Sequence, residues 1–234
     1  MATNPRRLVG ELVVDGVGRI PGFVNSYTFQ AGAETFLIDT GFSRKAKPIV
    51  RAFQNASVPL DQVGKVLLTH HHVDHMGGAA FLLESMRAPL ACHGDDAPFV
   101  DGREKAPMPL LMRLFTRTHP APVAVVLKDG DRVGPLTVVH TPGHTPGEVA
   151  FYEPQRKILF AGDSVVERKG RLILPAANYG SNLEQAIRSL DTLHALEVET
   201  LLPGHGVPVT RNFPALLDNL IERAPREYLQ RSAV

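Results

Sequence analysis

The sequence predicts an α/β fold. Short apolar runs rich in β-branched residues alternate with longer segments whose apolar residues recur at helical spacing, the pattern of sheets covered by helices. A buried strand at residues 65–69 is followed closely by glycines, alanines and such a helical pattern. The length of 234 residues suffices for one large α/β domain. We therefore expect a single domain, residues 1–234, with a variable insertion at about 94–122.

The individual strands and helices are predicted from the local spacing of apolar residues and from the glycine, proline and polar residues between them. Predicted strands are apolar runs that end at glycine, proline or polar residues, and they cover residues 8–14, 23–29, 35–38, 65–69, 90–93, 123–127, 136–140, 149–152, 158–160 and 200–202. Predicted helices cover residues 44–55, a segment ending at about 86, 182–196 and roughly 213–229. Pro48 lies in or near the start of the first predicted helix, although proline disfavours a helix interior. Ser181 or Asn182 is the expected N-cap of the third.

Composition narrows the classes of function. The net charge of +1 gives no electrostatic case for binding nucleic acid or an anionic membrane. The one cysteine, Cys92, excludes an internal disulfide, reads as a small buried hydrophobe and fits a reducing cytoplasm. No long apolar stretch follows the first residues, so we expect neither a signal peptide nor a transmembrane span. We expect a cytoplasmic protein that acts on a small molecule.

Residues 70–75 contain four histidines and a carboxylate at the junction of the predicted strand and helix. His70 and His72 are two residues apart, so in an extended segment their side chains point the same way. Asp74 and His75 fall where the chain turns into the helix. Neutral imidazole and carboxylate are ligands for zinc and similar divalent metals. A histidine tag does not explain these histidines, because the segment is internal and short and is interrupted by Val73 and Asp74.

The pattern His70-x-His72-x-Asp74-His75 resembles the signature of the metallo-β-lactamase-fold hydrolases. The other landmarks of that family occur in order along residues 12–205, and they are Asp39-Thr40-Gly41, Gly143-His144-Thr145-Pro146-Gly147, Gly162-Asp163-Ser164 and Pro203-Gly204-His205-Gly206. The resemblance implies a four-layer αβ/βα sandwich with two mixed β-sheets flanked by helices.

The resemblance also implies a site for two divalent metal ions, with zinc as the first candidate and manganese or iron as alternatives. Carried over position by position, one ion is held by His70, His72 and His144. The second is held by Asp74, His75 and His205. Asp163 matches the carboxylate that bridges the two ions, and Asp39 matches an aspartate that supports the ligand loop by hydrogen bonds without binding metal.

The activity implied is hydrolysis of an ester-like acyl bond, in a thioester, a lactone or an ester, by metal-bound hydroxide. Asp74 has a catalytic role beside ligation, in orienting the nucleophile or handling a proton. True β-lactamases of this fold generally lack a bridging aspartate, so Asp163 favours the glyoxalase II-like and lactonase-like branch. Only about one helix follows His205, which argues against a glutathione thioester.

Two observations leave the substrate and the class of reaction open. Val166 stands where bacterial homoserine-lactone lactonases have a tyrosine, and Tyr179 is a candidate to replace it in space. A mononuclear iron persulfide dioxygenase of the same fold is the alternative to the hydrolase, and a true β-lactamase ranks behind both. In the insertion, Met108 and Met112 belong to an apolar helical face that suits substrate contact, core packing or a homodimer contact.

Overall fold

The computed structural model of the protein describes residues 7–107, 119–176 and 181–229. A seven-stranded sheet contains, in spatial order, β1 (Glu11–Val14), β2 (Val17–Ile20), β3 (Ser26–Ala31), β4 (Glu34–Ile38), β5 (Lys65–Leu67), β6 (Leu90–His93) and β7 (Val125–Leu127). The pairs β1–β2, β2–β3 and β3–β4 are antiparallel, whereas β4 to β7 run parallel to one another. The sheet is therefore mixed.

The second sheet is formed by the following part of the chain. Along the chain its strands are β8 (Arg132–Val133), β9 (Leu136–His140), β10 (Val149–Glu153), β11 (Ile158–Gly162) and β14 (Thr200–Pro203), in spatial order β14-β11-β10-β9-β8. Only the β11–β14 pair is parallel. A separate two-stranded sheet, β12 (Val166–Arg168) and β13 (Arg171–Ile173), lies between β11 and β14 in the chain and was not among the predicted strands.

The described helices are α1 (Lys47–Ala56), α2 (Val73–Met76), α3 (Ala79–Met86), α4 (Ala97–Val100), α5 (Leu183–His194) and α6 (Phe213–Ala224). A 3₁₀ turn spans Leu60–Gln62, and a π-helical turn spans Pro225–Leu229. None of the helices in the described part of the chain is long and apolar enough to cross a bilayer.

Three apolar clusters show how the layers pack. Between the sheets, Phe29 and Phe36 of the first meet Phe151 and Phe160 of the second in one fully buried cluster. A second cluster lies between the first sheet and the helices α1 and α3, and a third lies between the second sheet and the helices α5 and α6. Each sheet is thus buried on both faces, which confirms the predicted four-layer αβ/βα sandwich.

Several boundaries differ from the predictions for local reasons. Helix α1 begins at Lys47 rather than residue 44, and Pro48 lies in its first turn, where a backbone N–H has no intrahelical partner to lose. The predicted helix ending near 86 is two helices, α2 and α3, separated by Gly77 and Gly78. Cys92 is buried as predicted. The single domain with an insertion at about 94–122 stays a prediction, and residues 108–118 of that range lie outside the described part.

Candidate metal centre

The candidate site lies where strands of both sheets end. In the first sheet β4, β5 and β6 are parallel, and Asp39, the segment 69–75 and Asp96 follow their carboxyl ends. In the second sheet β9, β11 and β14 run in one direction, because β9 and β11 are each antiparallel to β10 and β14 is parallel to β11. The loops that follow these strands share one edge of the sandwich, the position where α/β sheets build their sites.

One group of three histidines comes together across the two sheets. His70 and His72 follow β5, whereas His144 follows β9. His72 Nδ1 lies 2.8 Å from His144 Nε2. One nitrogen from each of the three rings lies within 4.8 Å of the others, which is the spacing of three ligands around one ion.

A second group comprises Asp74, His75 and His205. His205 Nε2 lies 3.2 Å from Asp74 Oδ2. His75 Nε2 lies 4.0 Å from the same oxygen. One ligand atom from each residue lies within 4.8 Å of the others, so this group also satisfies the spacing of a metal site.

The Asp163 carboxylate lies between the two groups. Its Oδ2 is 3.5 Å from His144 Nε2 and 3.5 Å from His205 Nε2. Its Oδ1 is 3.4 Å from His75 Nε2. The two oxygens of one carboxylate therefore face both histidine-containing groups, which is the geometry that a bridging ligand needs.

Asp39 supports the ligand loop from the neighbouring strand. Its Oδ2 lies 2.7 Å from His75 Nδ1 and accepts a hydrogen bond of 2.8 Å from the Thr69 hydroxyl. Its Oδ1 accepts from the Thr69 backbone N–H at 2.9 Å. A carboxylate on Nδ1 fixes the ring orientation and leaves Nε2 as the ligand atom. These are the contacts that the role predicted for Asp39 requires.

Glu148 is a supporting residue that sequence reasoning missed. It is fully buried, its Oε2 lies 3.1 Å from His70 Nδ1, and its Oε1 accepts a hydrogen bond of 2.9 Å from the Asp163 backbone N–H. It therefore contacts one residue from each sheet's ligand set. In the sequence, Glu148 could have been found as an acidic residue that directly follows Gly147 and directly precedes the buried strand β10.

Asp96 is the second missed residue, and it joins two ligand-bearing loops. Its Oδ2 accepts hydrogen bonds from the His71 backbone N–H at 2.8 Å and from the Thr145 hydroxyl at 2.9 Å. Its Oδ1 accepts from the Gly147 N–H at 2.8 Å. The His71 ring also packs against it, with Nδ1 2.9 Å from Oδ2. His71 thus contacts Asp96 and belongs to neither of the two groups of candidate ligands.

Burial and neighbouring charges set the protonation states. Burial lowers the pKa of His72 to about 3 and that of His144 to about 4, so both rings are neutral at pH 7 with a free lone pair for a metal. Burial and the neighbouring imidazoles also lower the pKa of His70. Burial raises the pKa of Asp163, but the charges of His75 and the other histidines outweigh it and lower the pKa overall, so the carboxylate is ionised.

The donor set fits divalent metal ions. Among the described residues, six buried side-chain polar atoms have no hydrogen-bond partner. Four of them belong to candidate ligands, and they are His70 Nε2, His75 Nε2, His144 Nδ1 and Asp163 Oδ1. Buried polar atoms are normally satisfied, so those that point into the site call for a ligand. Imidazole nitrogens with carboxylate oxygens form the set that zinc, iron and manganese accept.

Other candidate residues lie elsewhere. Met108, Met112 and Tyr179 fall outside the described residues, so their predicted substrate contacts stay predictions. His93 and His140 form a separate pair whose rings stack 4.1 Å apart at 14°. A metal lies in the plane of each imidazole that binds it, so two stacked rings cannot share an ion in this arrangement.

The fold and the paired groups define an αβ/βα protein with two adjacent sets of candidate metal ligands at one edge of the sandwich. The chain belongs to the metallo-β-lactamase superfamily, since the model of that family matches residues 19–205.

Individual relatives agree with this assignment. The probable metallo-hydrolase YflN of Bacillus subtilis (strain 168) is 31% identical over 252 residues, covering 94% of this chain and 96% of its own length. The acyl-coenzyme A thioesterase MBLAC2 of Gallus gallus is 28% identical over 200 residues, covering 77% of this chain and 72% of its own. The crystal structure of TTHA1623 in a di-iron-bound form superimposes with a TM-score of 0.67 at 30% identity, covering 83% of this chain and 93% of that one.

Proposed function

We propose that this protein is a binuclear metal-dependent hydrolase that cleaves an ester-like acyl bond, with a thioester as the first candidate substrate. One observation carries the proposal. The Asp163 carboxylate lies 3.4–3.5 Å from histidines of both ligand groups, His144 on one side and His75 and His205 on the other. A carboxylate whose two oxygens face both ligand groups is placed to hold two adjacent ions together.

Each residue has a role in this proposal. His70, His72 and His144 hold one ion, and Asp74, His75 and His205 hold the other, with Asp163 shared. Bound divalent ions, zinc in the first instance, supply a Lewis acid and water with a pKa near neutrality. Asp74 has an exposed edge and lies at the mouth of the site, where it orients the attacking water and accepts a proton from it.

The preference for a thioester rests on two supports. The relative from Gallus gallus is named an acyl-coenzyme A thioesterase, and YflN is named a probable metallo-hydrolase. The bridging position of Asp163 is the feature that separates the glyoxalase II-like branch from true β-lactamases in the resemblance described above. Cytoplasmic location is part of the same proposal, because a single buried thiol suits a reducing compartment.

The test is metal content followed by a substrate screen. Protein purified without added metal is expected to contain about two ions per chain. His144→Ala and His205→Ala each remove a ligand from a different group, so each is expected to retain about one. His194→Ala is the matched control, because that exposed histidine pairs only with Asp218 among the described residues. It is expected to retain both ions and full activity.

Three results contradict the proposal. The first is full metal content and full activity in His70→Ala. The second is about one iron per chain in the wild type together with oxygen consumption on a persulfide, which identifies the dioxygenase. The third is two ions per chain with no turnover of thioesters, lactones or esters. Hydrolysis of a thioester with two ions bound supports the proposal.

A further inference from the structure

A groove of ≈ 730 Å³ lies between strand β2 and helix α1, whose lining residues extend from Lys47 to Ala56. Its walls are apolar over much of their length, with Leu8, Ile20, Pro21 and Pro48 among the lining residues. We call it the α1 groove. None of the seven candidate metal ligands lines it, so it is a feature that the metal chemistry alone does not explain.

The α1 groove is positively charged. Lys47 and Arg51 are one helical turn apart on α1 and line one wall, and Arg19 of β2 lines the other. Among the described lining residues, Glu11 is the one carboxylate, and it lies 3.8 Å from Arg19. Within the described part of the chain neither Lys47 nor Arg51 forms an ion pair. Three cations thus face one carboxylate in a partly apolar groove.

The charge extends into the sequence around the groove. Residues 40–60 contain four basic residues, which are Arg44, Lys45, Lys47 and Arg51, and no acidic residue. The whole chain has nearly balanced charges, with 25 lysines and arginines against 24 aspartates and glutamates. A local excess of cations in a balanced chain creates a potential that attracts and retains an anion at this place.

The α1 groove connects to the metal centre. Ile20 and Pro48 line both the groove and a smaller apolar cavity of ≈ 170 Å³, whose other walls include Phe23, Phe42 and Thr40. The ring of Phe23 lies 5.7 Å from that of His205. A series of neighbouring residues, Phe23 and Phe42 and then Ile20 and Pro48, therefore leads from the candidate ligand His205 to the cations of α1.

Two further observations fit a bound molecule along this path. Phe23 is 76% exposed and Phe42 is 49% exposed, and their rings are 5.8 Å apart, so an apolar surface stands open at the rim of the site. Arg19 also contacts the loop that carries His205, since its Nε donates to Asn25 and its guanidinium lies 3.4 Å from the Gly206 carbonyl. The groove and the ligand loop are thereby held together.

We propose that the α1 groove binds the phosphorylated end of an elongated acyl thioester whose reacting carbonyl lies at the metal centre. This inference rests on the proposed function and names its substrate class. An uncharged linker of the leaving group lies over Phe23 and Phe42, and its phosphates meet Lys47, Arg51 and Arg19. Hydrolysis breaks the acyl C–S bond and forms a C–O bond to water, which gives a carboxylic acid and a free thiol. Phosphates are preferred over a glutathione-type carboxylate tail because three cations suit a multiply charged anion.

The test compares two thioesters of the same acyl group. Butyryl-coenzyme A carries phosphates on its leaving group, whereas butyryl-N-acetylcysteamine carries none. In the wild type, KM for the coenzyme A ester is expected to be much lower. Each exposed ion pair is worth a factor of about two to five, so the variant Lys47→Gln/Arg51→Gln is expected to raise KM for this ester about tenfold. KM for the N-acetylcysteamine ester and kcat for both are expected to stay unchanged.

The control and a direct binding measurement complete the test. Lys128→Gln/Arg132→Gln removes two exposed cations outside the groove and is expected to leave both KM values unchanged. Adenosine 3′,5′-bisphosphate is expected to bind the wild type in calorimetry, to bind the α1 variant about tenfold more weakly, and to bind less tightly as salt is raised.

The outcomes separate the two proposals. The inference is overturned if both esters are hydrolysed with equal KM and if Lys47→Gln/Arg51→Gln changes neither value. The proposed hydrolase function then still stands. A lower KM for a glutathione ester than for the coenzyme A ester also overturns it. Hydrolysis of neither ester overturns this inference together with the thioester as substrate, whereas the proposed hydrolase is then refuted only if lactones and simple esters are not cleaved either.

Discussion

Replacing Asp96 with asparagine is expected to loosen the candidate metal centre without touching a ligand. Asp96 is fully buried and accepts three hydrogen bonds, from His71, Thr145 and Gly147. In Asp96→Asn the amide oxygen still accepts from Gly147. The amide nitrogen then faces the His71 N–H, whose bond is lost, and the Thr145 hydroxyl, which can only accept from it. Two bonds to a charged acceptor are thus lost. Such bonds contribute about 1.5–3 kcal/mol each, which gives a loss of about 3–6 kcal/mol in the free energy of unfolding.

Urea denaturation of chelator-treated protein measures this effect separately from metal binding. An m-value of about 3 kcal/mol/M converts the expected loss into a midpoint shift of about 1–2 M. Metal affinity, measured by competition with a chelator, is expected to fall about 10–100-fold, because the loops that carry His70 and His144 lose their common anchor. Asp95→Asn is the matched control. The side chain of Asp95 is 61% exposed and lies 3.7 Å from His93, so less than about 1 kcal/mol is expected.

The pH dependence gives an independent check of the Asp96 reasoning. Burial raises the pKa of Asp96, but its hydrogen bonds from His71 and Thr145 outweigh burial and hold the pKa below its usual value. The unfolded carboxyl titrates near pH 3.9. Because the folded pKa is lower, the contribution to stability is present above about pH 3.9 and is lost as the pH falls through the folded value. The unfolding free energies of wild type and Asp96→Asn should therefore differ at pH 7 and converge in strong acid. A difference below about 1 kcal/mol at pH 7, with unchanged metal affinity, refutes the argument.

Three further predictions concern buried positions near the site. Glu148→Gln is expected to weaken metal binding about 10–100-fold while the protein stays folded, because Glu148 orients His70; unchanged affinity in a chelator titration contradicts this role. Gly162→Ala is expected to lose about 2–5 kcal/mol in urea denaturation, since its φ is +52° and an added Cβ meets the Glu148 carboxylate at 2.5 Å. Gly170→Ala, with a φ of +79° and open space, is the control, and an equal loss in both variants disproves the crowding argument. Burial raises the pKa of Cys92 to about 12, so its thiol is expected to react with a disulfide reagent only after unfolding; rapid reaction of the folded protein contradicts that expectation.

The candidate ligands could be predicted because each lies in a short pattern at the end of a strand. His70, His72, Asp74 and His75 share one loop after β5, so their spacing alone indicates a metal site. The fold class could be predicted for a similar reason, since apolar periodicity and turn residues are local signals. Helix boundaries were harder to predict where a residue can have two roles. Pro48 disfavours a helix interior, yet it is well tolerated in the first turn of α1.

The supporting residues could not be predicted, because the contacts that define their roles join distant parts of the chain. Asp96 bonds to Thr145, which is 49 positions away, and nothing in the sequence around Asp96 distinguishes it from the neighbouring Asp95. Glu148 faces His70 across the two sheets. Such residues acquire their roles only when the sheets pack face to face, so local pattern carries little information about them.

Under the two proposals, the chemistry and the substrate preference are carried by different parts of the fold. The candidate ligands come from loops of both sheets, so any change in how the sheets pack moves His70 relative to His144 and disturbs the site. The cations of the α1 groove lie on one strand and one exposed helix of the first sheet alone. Lys47 and Arg51 can be exchanged without altering the packing between the sheets, since both side chains are exposed. A ligand motif therefore predicts the reaction class, whereas the substrate has to be inferred from surface charge and shape beside the site.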